Sequence, residues 1–287
     1  MVKSPLEKNE NWSLEIYPKA SLFDFRLKEF WAYRELILLF VRRELVPTYK
    51  QTILGPLWFI LQPLLTTFVY SIVFGAVARI PTDGLPQLLF YMPGIVLWNF
   101  FNSSFMKGSG TFLANTHIFG KVYFPRLILP VAGLLSSFVN FLIQFSLLLI
   151  IMAGYWIAGT EIHPGVQILI LPLLLILVSL YSLGLGLVVS AFTTKYRDLN
   201  HFLVFGSQLL MYATPIIYPA SIVPDKFRWV SLLNPLSPIF EGFRYSLLGM
   251  GQLMTERLMF SFVFALLLLI SGLILFSRAE RTSIDTV

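Results

Sequence analysis

Charged residues cut this chain into a few long stretches without any Asp, Glu, Lys or Arg, separated by short segments where charges cluster. A helix crossing a bilayer core needs about 20 predominantly apolar residues. Six uncharged stretches are long enough, at 51–78, 84–106, 127–160, 162–194, 199–224 and 258–277. They predict six transmembrane helices over 53–78, 86–106, 128–153, 167–192, 200–219 and 258–277.

Three apolar segments are too interrupted to span. In the first, 26–52, Leu27, Phe30, Trp31, Leu38, Val41 and Leu45 recur at helical spacings, with Arg26, Lys28, Arg34, Arg42 and Arg43 available to anionic head groups. An interfacial helix is expected, ended by Pro47, from which the chain enters the first span through Tyr49, Lys50 and Gly55-Pro56; a helix packed on a protein partner would share the pattern. The second, 107–126, opens on Gly108 and Gly110 and carries Phe112, Leu113, Ile118 and Phe119 on one short amphipathic helix. Exposed on a loop, these side chains meet either a docked protein or the membrane surface. The third, 220–257, is broken at Asn234-Pro235 into two short apolar pieces. They are expected to dip into the outer leaflet and return, which bilayers tolerate only where protein or water covers the broken backbone; an extracellular hairpin cap is the alternative.

Composition fits these spans. Of 287 residues, 56% are hydrophobic and 13% charged, with mean hydropathy +0.76, whereas soluble domains carry about a quarter charged residues. An ordinary soluble fold and a disordered chain are both excluded. The absence of cysteine removes disulfides, thiolate metal sites and a cysteine nucleophile. Nine Lys and Arg precede the first span; with that segment inside, 16 of the 21 are cytoplasmic, and both termini lie there. The net charge of +6 is spread along the chain, so it reports orientation and anionic lipid rather than nucleic acid.

Catalytic motifs are missing. Gly120-Lys121 is followed by Val122 and has Asn115 where a Walker A loop requires its first glycine. His117, His163 and His201 are far apart in sequence and form no HExxH, so no metal site is expected. The predicted spans hold no Asp, Glu, Lys or Arg, which argues against an ion-coupled carrier and leaves a membrane hydrolase without an acid or base. Their polar groups are neutral, and Gln62, Tyr70, Asn99 and Tyr212 are candidates to line a conduit.

The segments RRELVPTYKQTILGPLWFILQPLL (42–65), NTHIFGKVYFPRLILP (115–130) and LNPLSPIFEGFR (233–244) resemble, in this order, the transmembrane subunit of ABC-2 type polysaccharide exporters, in particular the permeases for O-antigen and related lipid-linked glycans. The resemblance implies an all-α integral membrane protein of the bacterial inner membrane. Its six transmembrane helices follow an N-terminal amphipathic interfacial helix (26–52), and re-entrant outward-facing gate helices (222–252) precede the last span. The transmembrane domain covers 53–277 and the cytoplasmic tail 278–287; residues 1–25 are an extension without a counterpart.

It also implies a homodimer with two copies of a separate nucleotide-binding ATPase subunit. This chain is then no enzyme and binds no cofactor, while ATP and Mg sit on the partner. The loop 107–126 would contain a coupling helix, Gly110 to Lys121, presenting Phe112, Leu113, Ile118, Phe119 and Lys121 to the ATPase. Trp229, Asn234, Pro235, Phe240, Phe243 and Arg244 would form the outer gate.

A glycan of many sugars outreaches a bilayer core of about 30 Å, so the cargo requires a continuous channel. Aromatic rings and neutral hydroxyls or amides suit it, because they bind sugar weakly and repeatedly. The lipid pyrophosphate calls for cations, and Arg42, Arg43 and Lys50 at the cytoplasmic mouth are the candidates, with Tyr49 beside them in the head-group entry. Exporters of teichoic acid, capsule, drug or lipid, an ion-driven carrier and a membrane-embedded glycan enzyme are the rival classes.

Overall fold

The computed structural model describes residues 27–50, 53–119, 121–122, 124–160, 162, 165–196, 198–249 and 255–284. The predicted extension over 1–25 lies outside the described residues, within which every regular element is a helix. Helices α1 (Leu27–Ala32) and α2 (Arg34–Lys50) fill the predicted interfacial segment and meet at a turn on Tyr33. A 3-10 turn at Gly55–Leu57 leads into α3 (Trp58–Tyr70), which continues as a π-helical turn over Ser71–Val77. The remaining predicted spans become α4 (Gln87–Ser109), α7 (Ile128–Ile157), α8 (Leu171–Thr193), α9 (Leu199–Ala213) and α12 (Thr255–Ile284). Short helices α5 (Thr111–Ala114) and α6 (Thr116–Phe119) follow α4, and α10 (Arg228–Leu233) and α11 (Ser237–Leu248) separate α9 from α12.

Among the described residues, four stretches are long and apolar enough to cross a membrane: Gly55–Val77, Ile128–Ile157, Val166–Thr193 and Thr255–Glu280. The other two predicted spans depart from expectation for different reasons. Helix α4 carries Asn99, Asn102, Ser103, Ser104 and Lys107, yet residues 89–98 are all buried. It is the central helix, so its polar groups face protein rather than lipid. Helix α9 stops at Ala213 instead of 219; its 15 residues rise about 22 Å, short of a bilayer core of about 30 Å. The remainder, 214–219, is largely buried non-helical backbone.

Two glycines on α8 fix the packing around it. Gly184 and Gly186 stand about 200° apart around the helix and therefore face opposite neighbours. A Cβ on Gly186 would sit 3.1 Å from the Cα of Gly108 on α4. On the other side, a Cβ on Gly184 would sit 2.8 Å from the Leu269 nitrogen of α12, and one on Gly272 would sit 2.6 Å from the Gly184 oxygen. Between membrane helices such small residues let backbones touch and gain dispersion that lipid cannot supply. Beside this spine, Phe90, Phe100, Phe101, Phe141, Phe240 and Phe243 form a continuous aromatic core.

Helix α2 packs Ile37, Phe40 and Val41 against Phe124, Ile128, Leu129 and Ala132 at the start of α7. Trp31, Leu38 and Leu39 remain exposed, so the expected single apolar stripe divides into a protein-facing and an outward-facing row. Pro47 does not end the helix: it lies in the last turn of α2, where its ring removes one intrahelical bond and the helix still reaches Lys50.

Candidate functional site

The C-terminal ends of α2, α4 and α12 and the N-terminal end of α7 meet at one end of the bundle, where the loop after α4 folds as two single-turn helices instead of one amphipathic helix. Phe112 is not exposed as the sequence suggests. It is 6% accessible, stacks on Phe276 of α12 at 4.7 Å between ring centres and packs beside Leu187. Phe119, Ile118 and Leu113 are half-buried, the first against Phe112 and Phe124. The outward surface of the loop is instead Ala114, Thr116, His117, Lys121 and Val122. The aromatic side chains thus anchor the loop from beneath, because a ring buried in the bundle gains more than one left in water.

Arg126 strengthens that anchorage. Its backbone N–H donates to the Glu280 carboxylate at 3.4 Å and its guanidinium to the Glu280 carbonyl at 3.2 Å, with Phe119 stacked beneath it at 4.7 Å. Burial draws this guanidinium below its ordinary pKa, while Glu280 acts in the opposite direction.

Of the cations expected to meet a head group, Arg42 and Lys50 are exposed and lie eight residues, about 12 Å, apart along α2. Arg43 is exposed too but engaged: it donates to Asn115 Oδ1 at 3.1 Å and covers the Phe40 ring at 4.7 Å. The Tyr49 side chain lies outside the described residues.

At the opposite end, the break at Asn234-Pro235 separates α10 from α11 as expected. Trp229 is exposed on α10, whereas Phe240, Phe243 and Arg244 on α11 are buried inside the bundle. Asn234 donates to the Ala213 carbonyl at 3.2 Å and to Thr214 Oγ1 at 2.9 Å. Arg244 donates to the carbonyls of Pro215 and Ile216 at 3.2 and 3.0 Å and lies 3.9 Å from the centre of the Phe90 ring. These bonds explain how the backbone after α9 leaves the helix inside the bundle, since buried carbonyls must find internal donors. The Pro235 carbonyl is held in turn by the Ser261 hydroxyl of α12 at 2.6 Å. The six predicted spans hold no Asp, Glu, Lys or Arg, yet the bundle interior contains a buried guanidinium. Arg244 enters it on α11, a helix too short to span and outside the six uncharged stretches.

The candidate lining residues separate. Gln62 on α3 and Tyr212 on α9 face outward, Tyr70 is half-buried with its hydroxyl 3.8 Å from Met211 Sδ, and Asn99 donates to Gln144 Oε1 at 3.1 Å across α4 and α7. Asn99 is thus spent on holding two helices together. A cavity of about 320 Å³ adjoins Tyr212, bounded by Ile80, Tyr218, Phe227, Val230 and Ser231.

Sequence reasoning overlooked Glu44 and Ser136 and treated Lys107 only as the end of an uncharged stretch. One signal was available: Glu44 is the only acid in 36–50, next to Arg42 and Arg43, which marks it as a partner for a cation elsewhere.

Helices alone, several of them membrane-length and packed by glycine contacts, define a multi-pass membrane protein with elaborated ends. The profile of the ABC-2 type transporter family matches residues 35–248, and the chain belongs to that family. It is 28% identical over 247 residues to an O-antigen export system permease protein RfbA of Klebsiella pneumoniae, covering 86% of this chain and 92% of that one. It is also 28% identical over 223 residues to the RfbA permease of Myxococcus xanthus, covering 76% and 82% of the two chains. The polysialic acid transport protein KpsM of Escherichia coli is 24% identical over 249 residues, covering 85% and 93%.

Proposed function

We propose that this chain is the channel-forming permease of an ATP-driven exporter that carries a lipid-linked, O-antigen-like polysaccharide across the bacterial inner membrane. One observation carries the reading. Relatives named for O-antigen and polysialic acid export match over 86% and 85% of this chain, and the family profile, over 35–248, takes in nearly all of α2, the loop after α4 and the broken pair α10–α11.

The six uncharged segments cross the membrane, α4 and α9 among them, with both termini inside. Two copies of the chain pair and carry two copies of a separate ATPase, which binds ATP and Mg. Support for pairing comes from Gly55–Val77, the least buried of the four membrane-length stretches, whose Leu65, Phe68 and Val69 are exposed, as are Phe205 and Leu209 on α9. Gln62, Gln208 and Tyr212, exposed among them, offer the neutral contacts along which a glycan slides. The ATPase docks on Thr116, His117, Lys121 and Val122, with Phe112 and Phe119 holding the loop in place. Arg42 and Lys50 gather the pyrophosphate of the cargo, and α10–α11 close the outer mouth.

Proteoliposomes holding this chain with its ATPase test the proposal. ATP should drive lectin-reactive glycan into inverted vesicles, while vesicles of this chain alone should hydrolyse none. Nucleotide turnover by the chain alone, or flux abolished by a protonophore and indifferent to ATP, would overturn it.

A further inference from the structure

Lys107, Glu44 and Ser136 join three segments that the sequence holds far apart. Lys107 Nζ lies 2.9 Å from Glu44 Oε2 and donates to the Ser136 hydroxyl, which also contacts Glu44 Oε2. Ser136 is fully buried, and the two charged side chains are 31% and 25% exposed. The lysine reaches them across α7 only because position 133 has no side chain: a Cβ on Gly133 would stand 2.9 Å from Lys107 Cβ. The site is therefore built around a lysine lying flat on a neighbouring helix.

Its place in the chain gives it meaning. Lys107 belongs to the last turn of α4, directly before Gly108, Gly110 and the loop helices α5 and α6. Glu44 sits on α2 between the exposed Arg42 and Lys50. A second bond runs parallel to the first, from Arg43 to Asn115 within that loop at 3.1 Å. Helix α2 is thus bonded both to the root and to the middle of the loop. A partly buried ion pair with a shared hydroxyl resists separation, because parting it leaves charges without compensation in a poorly solvated place.

We propose that Glu44, Lys107 and Ser136 form a positioning link that makes α2 move with the loop after α4, so that a stroke delivered to the loop repositions Arg42 and Lys50. The functional half of this rests on the reading above, in which the loop receives an ATPase and α2 receives the lipid head group; the mechanical half does not. Loss of the link leaves docking and ATP hydrolysis in place and uncouples them from cargo uptake.

Because the chain has no native cysteine, the mechanical half can be measured directly. Spin labels at Leu39→Cys and Ala114→Cys, both exposed and neither among the docking residues, report the separation of α2 and the loop in the full complex, nucleotide-free and ATP-bound. The two distance distributions should coincide in the parent and in Lys107→Arg, and should separate in Lys107→Met and Glu44→Gln. Coincident distributions in Lys107→Met overturn the link.

The functional half is read from surface glycan per ATP hydrolysed in the host strain. Glu44→Lys and Lys107→Glu should each lower that ratio by roughly two- to thirtyfold while the ATPase still copurifies, and the exchanged pair Glu44→Lys/Lys107→Glu should restore most of it. An unchanged ratio in the single variants, or no recovery in the exchange, removes the role in coupling. Absence of glycan export by the parent complex would defeat the transport reading and leave the label distances to judge the link.

Discussion

Substituting Gly184 by alanine tests the packing that holds the bundle together. A Cβ there would meet backbone atoms of α12, at 2.8 Å from the Leu269 nitrogen and 3.0 Å from both the Leu268 carbonyl carbon and the Leu269 Cα. Ordinary carbon contacts begin near 3.5 Å, so α8 and α12 must part by about 0.7 Å, and no flexible side chain is available to give way instead. Separation also loosens the Gly272 approach on the same face. Overpacking of this kind costs about 1–3 kcal/mol, which for a chain of this size lowers the melting midpoint by roughly 2–12 °C. Unfolding of the detergent-solubilised protein, followed through its six tryptophans, measures the shift. Gly154→Ala on α7 is the matched control, since nothing beyond the backbone of its own helix lies within 4 Å of its added Cβ; losing a helical glycine there should leave the midpoint unchanged or raise it. Equal midpoints for Gly184→Ala and Gly154→Ala would refute the close-approach argument.

Other outcomes follow from the geometry. Replacing Arg244 with Met strips donors from two buried carbonyls, a loss on the order of 3 kcal/mol, and should raise leakage of a small impermeant sugar through reconstituted vesicles; unaltered leakage would show that these bonds do not keep the outer mouth shut. Thr116→Glu with His117→Glu should stop the ATPase from copurifying while the chain remains monodisperse, whereas Phe112→Ala should cost about 3–5 kcal/mol of stability and reduce folded yield. Arg42→Gln should reduce glycan export without altering ATPase docking, and Arg43→Gln should in addition make the 111–119 loop more accessible to protease; identical behaviour of the two would mean that the Asn115 bond has no consequence.

The sequence makes some of this legible because the bilayer imposes a simple rule on it. Uncharged length located α3, α4, α7, α8, α9 and α12, the spacing of apolar residues located α2, and Asn234-Pro235 located the break between α10 and α11, where proline removes a donor. Burial was harder to read. Phe112 resembles an exposed anchor in a polar loop, yet Phe276, more than 160 residues later, covers it. Asn99 looks like a lining group until Gln144 is placed opposite. The end of α9 was misjudged because Pro215, which drives Thr214 into extended backbone, was read past; the donors that make the stop tolerable inside the bundle, Asn234 and Arg244, come from beyond the turn. Pairings between distant segments have no periodicity to betray them, and the Lys107–Glu44 contact is of that kind.

The central position of α4 bears on how the chain is made. Ribosomes deliver α4 before α7, α8 and α11, the helices that wrap it, and its asparagines and serines make it a reluctant guest of bare lipid. During synthesis it must wait beside α3 or within the insertion machinery until later segments emerge. Products truncated ahead of α8 therefore strand a half-clothed helix, a natural target for membrane proteases and a reason for this protein to be assembled whole or not at all.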